Sequence, residues 1–334
     1  MKRDIIRLTR PPKILSSCAA VGSEEKKGPL GDKLHICSMD NKFGKDTWEK
    51  AESEMQRLAL KGALDQAGLK DRDIDILLAG DLLNQCIGSS FGLLDFDIPY
   101  VGLYGACSTC ALSLALGSVI YSGGYTDIFA AVTSSHYCSS ERQFRYPLEY
   151  GGQRAPSCQW TVTGAGAFIL GDKGNTEISE VVFGKSLDMG INDINNMGAA
   201  MAPSCADTIE RYFYNSEMKP DDFDMIVTGD LGSEGSDILK ELLLNEDIDI
   251  RDNHADCGLM IYDIEAQDKH SGGSGCGCSA SVMAADIVKR LDTCELNHVL
   301  FIGTGALMNS MTMYQGNTIP AISHLIHLKS GGCK

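Results

Sequence analysis

Three short segments of the first half of the chain return, in the same order, in the second half. In the best-matched pair, five of ten positions are identical and the apolar positions agree in kind. The paired segments are 73–82 with 222–231, 105–108 with 275–279, and 164–168 with 303–307. Three matches in register predict an internally duplicated chain with halves at 1–172 and 173–334. Chance recurrence of Gly-Asp and Gly-x-Gly turns is the alternative.

Short apolar runs alternate with longer helical patterns. Strands are predicted at 11–22, 74–79, 100–104, 127–133 and 160–170, and helices at 46–67, 106–121 and 280–291. The polar segment 24–33 is expected to be a loop. The helix at 106–121 is apolar on nearly every side, so it must be buried all round. Strands that alternate with helices indicate an α/β architecture.

Charge and length exclude several classes of protein. The 334 residues carry 45 acidic and 29 basic side chains, a formal net charge of −16. Such a charge repels nucleic-acid phosphates and anionic lipid. No apolar stretch suits a secretory signal or a membrane-spanning helix. We therefore expect a soluble protein that has no nucleic-acid partner and no membrane span of its own.

The 13 cysteines are dispersed along the chain. In a chain that is large enough to build a core without disulfides, they are expected to be reduced, mostly buried intracellular thiols. Cys107-x-x-Cys110 and Cys276-x-Cys278 are possible redox or metal motifs. A zinc site would need a second pair at suitable spacing, and none accompanies them. We expect no bound metal.

The most informative segment delivers Cys107 and Ser108 from a strand to the first turn of the buried helix. A helix N-terminus offers unpaired N–H groups and a partial positive charge, which favour a thiolate at Cys107 and an anion beside it. Small flanking residues allow close approach. The segment is therefore a candidate nucleophile elbow with an oxyanion site. The alternative is a small residue that fills a tight strand-to-helix turn.

The motif Tyr-Gly-Ala-Cys-Ser-Thr at 104–109, the apolar helix after it and Gly-Ala-Gly-Ala at 164–167 resemble the thiolase superfamily, in particular ketoacyl-acyl-carrier-protein synthases of type III. The resemblance implies an α/β, five-layered αβαβα fold, made from two duplicated halves around a pseudo-two-fold axis. Segments 134–153 and 256–263 more narrowly resemble the stage V sporulation protein AD family.

That narrower resemblance implies a thiolase-like protein without established condensing activity. It also implies binding of dipicolinic acid and membership of the SpoVA membrane assembly, which moves dipicolinate, with calcium, into the forespore. Whether free dipicolinate or its calcium chelate binds stays open, and no other cofactor is expected. The protein would then lie at the forespore or spore inner membrane through partner proteins. Thiolase-like proteins usually form two-fold dimers through an edge strand, so a homodimer is expected.

A condensing enzyme needs two further groups besides the cysteine, usually His with His or Asn. The resemblance puts the first after the strand at 225–228, where Asp230 stands and no His is present. A carboxylate there would repel an enolate. His270 lies near the second position. A non-catalytic protein is therefore expected, with an acyl transferase or thioesterase that uses Cys107 and His270, or a purely structural scaffold, as alternatives.

The remaining groups suit a small planar dianion such as dipicolinate, with an expected Kd of about 10 µM to 0.2 mM. Helix N-termini at Cys107 and Cys278 would supply donors, and Arg142, Arg145 and Arg154 could neutralise the charge. Pairing of these arginines with Glu141 and Glu149 is equally compatible with the sequence. The candidate ligand contacts are Cys107, Ser108, Ser134, Ser135, His136, Arg145, His270 and Cys278.

Overall fold

The computed structural model describes residues 4–145 and 151–332. The strands in this part of the chain are β1 (Ile6–Arg7), β2 (Lys13–Val21), β3 (Ile36–Cys37), β4 (Ile76–Gly80), β5 (Tyr100–Gly102), β6 (Phe129–Ser135), β7 (Trp160–Thr161), β8 (Gly164–Gly171), β9 (Thr176–Val182), β10 (Met225–Thr228), β11 (His254–Asp256), β12 (Gly273–Ser274), β13 (His298–Ala306) and β14 (Ala321–Ser330).

The helices alternate with these strands. They are α1 (Ser23–Lys26), α2 (Trp48–Ala67), α3 (Ile87–Gly92), α4 (Thr109–Ser122), α5 (Tyr137–Phe144), α6 (Met197–Asn215), α7 (Gly232–Leu244), α8 (Cys257–Met260), α9 (Cys276–Val282), α10 (Val288–Asp292) and α11 (Ser310–Tyr314). A π-helical turn, Met283–Ile287, joins α9 to α10. None of these described helices is long and apolar enough to cross a membrane.

Helix α2 illustrates how the sequence signals produce an element. The Thr47 hydroxyl accepts from the Lys50 N–H at the start, and Gly68 ends the helix with a φ of 68°. Both are standard capping arrangements. Met55 and Leu60 on its apolar face are fully buried. The helix predicted at 46–67 is thus confirmed, within two residues at its start.

Three other local predictions are corrected. Segment 24–33 is not a plain loop, because it contains α1 and a 3₁₀ turn at Gly31–Lys33. The buried helix begins at Thr109 rather than at 106, because residues Gly105 and Cys107 form a bridge before it. The strand predicted at 160–170 is divided into β7 and β8.

The two halves of the molecule build sheets of the same order. The first sheet runs β5-β4-β6-β8-β2, and the second runs β11-β10-β13-β14-β9. In each, the first three strands are parallel and the last two pairings are antiparallel. The sheets join where Lys13 and Ile14 of β2 pair with Glu177 and Thr176 of β9. Strand order and direction therefore repeat as the duplicated sequence segments predicted.

The helices form three layers around the two sheets. Helix α4 packs between β4 and β6 on one side and β13 and β14 on the other, with α9 beside it. Helix α2 covers the outer face of the first sheet, and α6, with α7 on it, covers the second. The architecture is the five-layered αβαβα arrangement. The domain boundary at 172/173 falls in the connection from β8 to β9 and stays a prediction.

Candidate functional site

Cys107 lies in a tight turn between β5 and α4. Ala106 has a φ of 49°, a left-handed conformation that non-glycine residues adopt rarely. The Thr109 hydroxyl donates to the Ala106 carbonyl at 2.6 Å and holds this turn. The Ser108 hydroxyl donates to the Gly105 carbonyl, also at 2.6 Å. The elbow is therefore present, but the Ser108 hydroxyl is engaged by the backbone and Ser108 does not line the cavity beside Cys107.

A buried carboxylate, Asp230, lies beside Cys107 and accepts hydrogen bonds from the donors around it. Its Oδ2 accepts from the Gly275 N–H at 2.7 Å and from the Ser274 hydroxyl at 3.0 Å, and its Oδ1 accepts from the Thr304 hydroxyl at 2.8 Å. Burial raises the pKa of Asp230 to about 6, although these donors oppose the rise. Near neutral pH the cluster therefore holds an internal anion.

The expected thiolate at Cys107 is wrong. Burial raises the pKa of the Cys107 thiol well above its usual value, and the negative charge of Asp230 raises it further. The Ser274 hydroxyl lies 3.9 Å from the sulfur. This hydroxyl and the Gly275 N–H lower the pKa of the thiol, but by less than burial and Asp230 raise it. Because α4 begins two residues later, the cysteine does not receive the full benefit of the helix N-terminus.

A second buried carboxylate, Asp256, fixes the loop that carries Asp230. It accepts from the N–H groups of Leu231 at 2.8 Å and Gly232 at 3.1 Å, and from the Thr228 hydroxyl at 2.6 Å. Burial raises its pKa to about 7. No role is predicted for Asp256 from the sequence, where the Asp-Leu-Gly turn after β10 is the one local signal that this loop needs an acceptor.

His270 is bonded elsewhere and does not line the cavity beside Cys107. Its Nδ1 lies 2.8 Å from the Ala155 carbonyl and its Nε2 lies 3.2 Å from Asp268. Ser274 reaches the cysteine instead. The pairing of Cys107 with His270, on which an acyl transferase or thioesterase would depend, is not formed in this structure.

Ser134, Ser135 and His136 are fully buried and engaged within the protein. Ser134 donates to Glu52 at 2.9 Å, and Ser135 donates to the Val162 carbonyl at 2.7 Å. The Nε2–H of His136 donates to the Asn41 carbonyl at 2.7 Å, while its Nδ1 caps α5. None of the three is among the residues that line the cavity beside Cys107. The strand delivers them to the interior because β6 is buried along its whole length.

Cys278 also faces away from the cavity, in the core between the sheets. Its neighbour Cys276 lies in the position that was expected for Cys278. Cys276 packs with Cys107 and Leu82, and its thiol donates to the Ser134 carbonyl at 2.9 Å. The C-x-C spacing predicts a pair of cysteines at the helix entry, but not which one points to the first half.

The three candidate arginines are all paired with carboxylates. Arg142 bonds Glu49, Arg145 bonds Glu141 at 2.7 Å, and Arg154 lies 3.5 Å from Asp268. Glu149, the other expected partner, lies outside the described residues.

Arg145 lines the cavity beside Cys107. Its burial disfavours the charged form, yet Glu141 outweighs this and raises the pKa of Arg145 overall. The charge of this arginine is therefore retained inside the protein and largely neutralised by Glu141.

The cavity beside Cys107 is small. Its volume is about 30 Å³, which is room for about two water molecules. Its walls are mainly apolar side chains from both halves, including Tyr104, Phe144, Met197 and Met308. In the described part of the chain, no three His, Cys, Asp or Glu side chains are grouped to hold a metal ion.

Comparison with known proteins agrees with this architecture. The structure resembles 3-oxoacyl-[acyl-carrier-protein] synthase III from Aquifex aeolicus, with a TM-score of 0.55 and 11% identity, over 95% of this chain and 99% of that one. It also resembles acetamide-bound OleA from Xanthomonas campestris, with a TM-score of 0.59 and 11% identity, over 97% and 100% of the two chains. At this identity, these likenesses show the fold alone, which is thiolase-like as expected.

Sequence comparison is more specific. The chain is 41% identical over 319 residues to stage V sporulation protein AD of Bacillus subtilis, covering 95% of this chain and 94% of that protein. The model of the family "Stage V sporulation protein AD (SpoVAD)" matches residues 2–329. This chain therefore belongs to the stage V sporulation protein AD family, and its role is in sporulation.

Proposed function

We propose that the protein is a non-catalytic dipicolinate-binding component of the SpoVA assembly, which moves dipicolinate with calcium into the forespore. Membership of the stage V sporulation protein AD family supports a role in sporulation. The ligand and the assembly come from the family resemblance. The negative charge of the chain disfavours direct binding to anionic lipid, so partner proteins would hold it at the membrane.

The observation that carries the non-catalytic part is the position of Asp230. Acyl condensation through Cys107 needs a thiolate, together with donors that stay free for the oxyanion. Here Ser274, Gly275 and Thr304 all donate to Asp230 instead. The same carboxylate raises the pKa of the thiol. Asp230 thus disfavours the Cys107 thiolate and also engages the donors that an oxyanion would need.

The second candidate is an acyl transferase or thioesterase, and the strained elbow at Ala106 favours it. Incubation with a short acyl thioester, followed by mass spectrometry of the peptide that contains Cys107, separates the two. We expect no acyl adduct on Cys107. A stoichiometric mass increase at that residue would contradict the non-catalytic proposal.

Dipicolinate binding is tested by isothermal titration calorimetry of the intact protein, with and without calcium. We expect a Kd of about 10 µM to 0.2 mM for at least one of the two ligand forms. Binding only in the presence of calcium identifies the chelate as the ligand. No heat with either form, confirmed by equilibrium dialysis, would overturn the proposal.

A further inference from the structure

A wall of protein separates the cavity beside Cys107 from a surface pocket of about 430 Å³. Helix α5 and the segment that precedes α3 form this wall, because neighbouring residues of each element line the two different spaces. The cavity is lined by Leu82, Ser140 and Phe144, and the pocket is lined by Leu83, Asn84, Gln85, Ser139 and Gln143. The wall is therefore one chain segment thick on the side of α3.

Leu82 is the part of this wall that covers the cysteine. Leu82, Cys107 and Cys276 pack together in one buried cluster, and Phe144 of α5 packs against it. A molecule that comes from the surface pocket can therefore meet the Cys107 sulfur only if the segment that carries Leu82 moves.

The same segment has an unusual backbone. Gln85 and Cys86 have φ angles of 55° and 53°, in the left-handed region, although neither is glycine. Two consecutive residues of this kind raise the energy of the closed conformation. The Gln85 side chain is exposed, so its own packing does not impose this backbone. Contacts elsewhere in the segment must hold it.

Gln143 of α5 supplies two of these contacts. Its Nε2–H donates to the Leu82 carbonyl at 3.2 Å, and its Oε1 accepts from the Asn84 N–H at 3.0 Å. The side chain is partly exposed. One side chain on the rim of the pocket thus fastens the strained segment to the helix across from it.

The two ends of the segment are fixed to each other at a buried carboxylate. Asp81 accepts from the Ser89 N–H at 2.7 Å and from the Ser89 hydroxyl at 2.6 Å. Within the loop, the Leu83 N–H donates to Asp81 at 2.9 Å, and the Cys86 thiol donates to the Leu103 carbonyl at 3.3 Å. A short loop with joined ends and few internal bonds can open while the rest of the fold stays intact.

The cavity behind the wall contains an unsatisfied polar group. The Ser140 hydroxyl is buried and meets no hydrogen-bond partner among residues 4–145 and 151–332. A buried hydroxyl without a partner is unfavourable. A polar group that entered the cavity would recover this free energy.

We infer that residues 82–86 form a gate, with Gln143 as its latch, and that its opening joins the surface pocket to the cavity and exposes Cys107. With the gate closed, the cavity has a volume of only about 30 Å³. The inference goes beyond the proposed function, because it concerns access to the cysteine elbow and holds whichever ligand enters.

Hydrogen exchange and thiol alkylation of the full-length protein, both read by mass spectrometry, measure the opening without a ligand. Gln143→Met removes both latch bonds, so amide exchange in 82–87 and alkylation of Cys107 by N-ethylmaleimide should each accelerate about tenfold. Alkylation of Cys86, in the gate itself, should accelerate by the same factor. Cys278 lies in the core between the sheets and reports global unfolding, so its rate should stay constant.

A pair of substitutions at Gln85 tests the strain. Gln85→Asn favours the left-handed conformation and should slow both rates about threefold. Gln85→Val places a β-branched residue there and should accelerate both about fivefold. Because the side chain is exposed, neither change disturbs the core. Gln315→Val is the matched control, since Gln315 is also exposed but has a φ of −85°.

Parallel changes in 82–87 and at Cys107, with Cys278 constant, support the gate. Faster amide exchange with unchanged alkylation of Cys107 would show that the segment moves without uncovering the cavity, and would overturn the inference. If Gln143→Met also accelerates Cys278, that variant acts through unfolding and the Gln85 pair decides: equal Cys107 rates in the pair overturn the gate. Since no ligand enters these measurements, their failure leaves the proposed function to the dipicolinate titration.

Discussion

Asp230 lies at the centre of the polar cluster beside Cys107. A buried carboxylate is costly unless donors surround it, and three protein donors do so. They are the kind of group that stabilises an oxyanion in acyl-transfer enzymes. The donors beside Cys107 are thus already engaged by Asp230, which closes the cluster.

We predict that Asp230→Asn makes Cys107 more reactive. Removing the negative charge should lower the pKa of the thiol, so its alkylation by iodoacetamide at pH 8 should accelerate at least about tenfold. Ser274→Ala should have the opposite effect, because the Ser274 hydroxyl lowers that pKa. Mass spectrometry of the Cys107 peptide gives the rate, with Cys138 as the internal reference. Equal rates in the two variants would contradict this account of the thiol.

Glu52 is a second carboxyl group whose environment differs strongly from that in the unfolded chain. It is fully buried on α2, where Ser134 donates to one oxygen at 2.9 Å and Ser139 to the other at 2.8 Å. Burial raises its pKa to about 8, with a further rise from the negative charge of Asp81. Near pH 7 the folded protein therefore holds a proton that the unfolded chain releases.

The consequence is a loss of stability as the pH rises. A raised carboxyl pKa stabilises the fold fully below the unfolded value, and this contribution is lost as the pH rises through the folded value. Buried His254 and His324, whose pKa values burial lowers to about 4, act in the opposite direction only below about pH 6.5. We expect Glu52 to lower the free energy of unfolding by about 1 kcal/mol between pH 7 and 8, with a smaller loss from Asp256, whose pKa burial raises to about 7.

Urea denaturation at pH 7.0, 7.5 and 8.0 measures this fall. Glu52→Gln keeps the shape of the side chain and cannot titrate, so it should remove most of the decline. The same slope in the variant and in the wild type would show that another group releases the proton.

At the scale of elements, the Gly-x-Gly segments of β8 and β13 have the same packing role in the two halves of the chain. Gly166 of β8 lies against Ala280 of α9, and Gly303 of β13 lies against Ala111 of α4. Each half of the chain thus supplies a glycine strand on which the central helix of the other half rests. Close contact of backbone with helix is what requires glycine here, so the repeat reflects packing across the pseudo-two-fold axis.

Gly166→Ala should therefore destabilise the protein by about 1–3 kcal/mol. An added Cβ would lie 2.5 Å from the carbonyl oxygen of Ala280, a backbone atom that cannot turn aside. Gly123→Ala is the control, because its new Cβ would crowd only the ring of exposed Tyr125, which can turn aside, and would lie at an ordinary 3.4 Å from the Ile120 carbonyl oxygen. Urea midpoints compare the two, and equal midpoints would show that α9 can shift without cost.

At the scale of the whole molecule, the free edge of the first sheet is apolar. Among the described residues, strand β5 pairs with β4 alone. Large exposed apolar side chains lie on β5 and on the chain segments just before and after it: Ile87, Phe91, Leu94, Tyr100, Val101 and Tyr104. Unpaired strand edges beside apolar patches are sites of association. We propose that a second copy pairs here in a two-fold dimer.

Sedimentation equilibrium tests the dimer. The wild type should have twice the chain mass of 36.0 kDa. Phe91→Glu and Val101→Lys should each shift it to the monomer, since charge at an edge strand opposes pairing. Tyr314→Glu, at a more exposed aromatic residue in the other half of the chain, should leave the mass unchanged. A monomeric wild type, or dimeric edge variants, would contradict the proposal.

The sequence alone determined the α/β class, the duplicated strand order, the buried central helix and the cysteine elbow. These follow from local signals: periodicity, caps and small residues at a tight turn. The family resemblance further predicts that Asp230 stands where a condensing enzyme carries a His, and this stays a prediction. Repeated motifs, when their order is kept, carry information about topology.

Only the tertiary structure decided which side chains share a site. Ser134 lies near the end of β6 and His136 directly follows that strand, yet they bond to Glu52 of α2 and to the Asn41 carbonyl. Cys276 rather than Cys278 reaches Cys107. The contact of Arg154 with Asp268 joins segments 114 residues apart. Side-chain direction at a strand end, and the pairing of charges between distant segments, depend on packing between layers that no local pattern encodes.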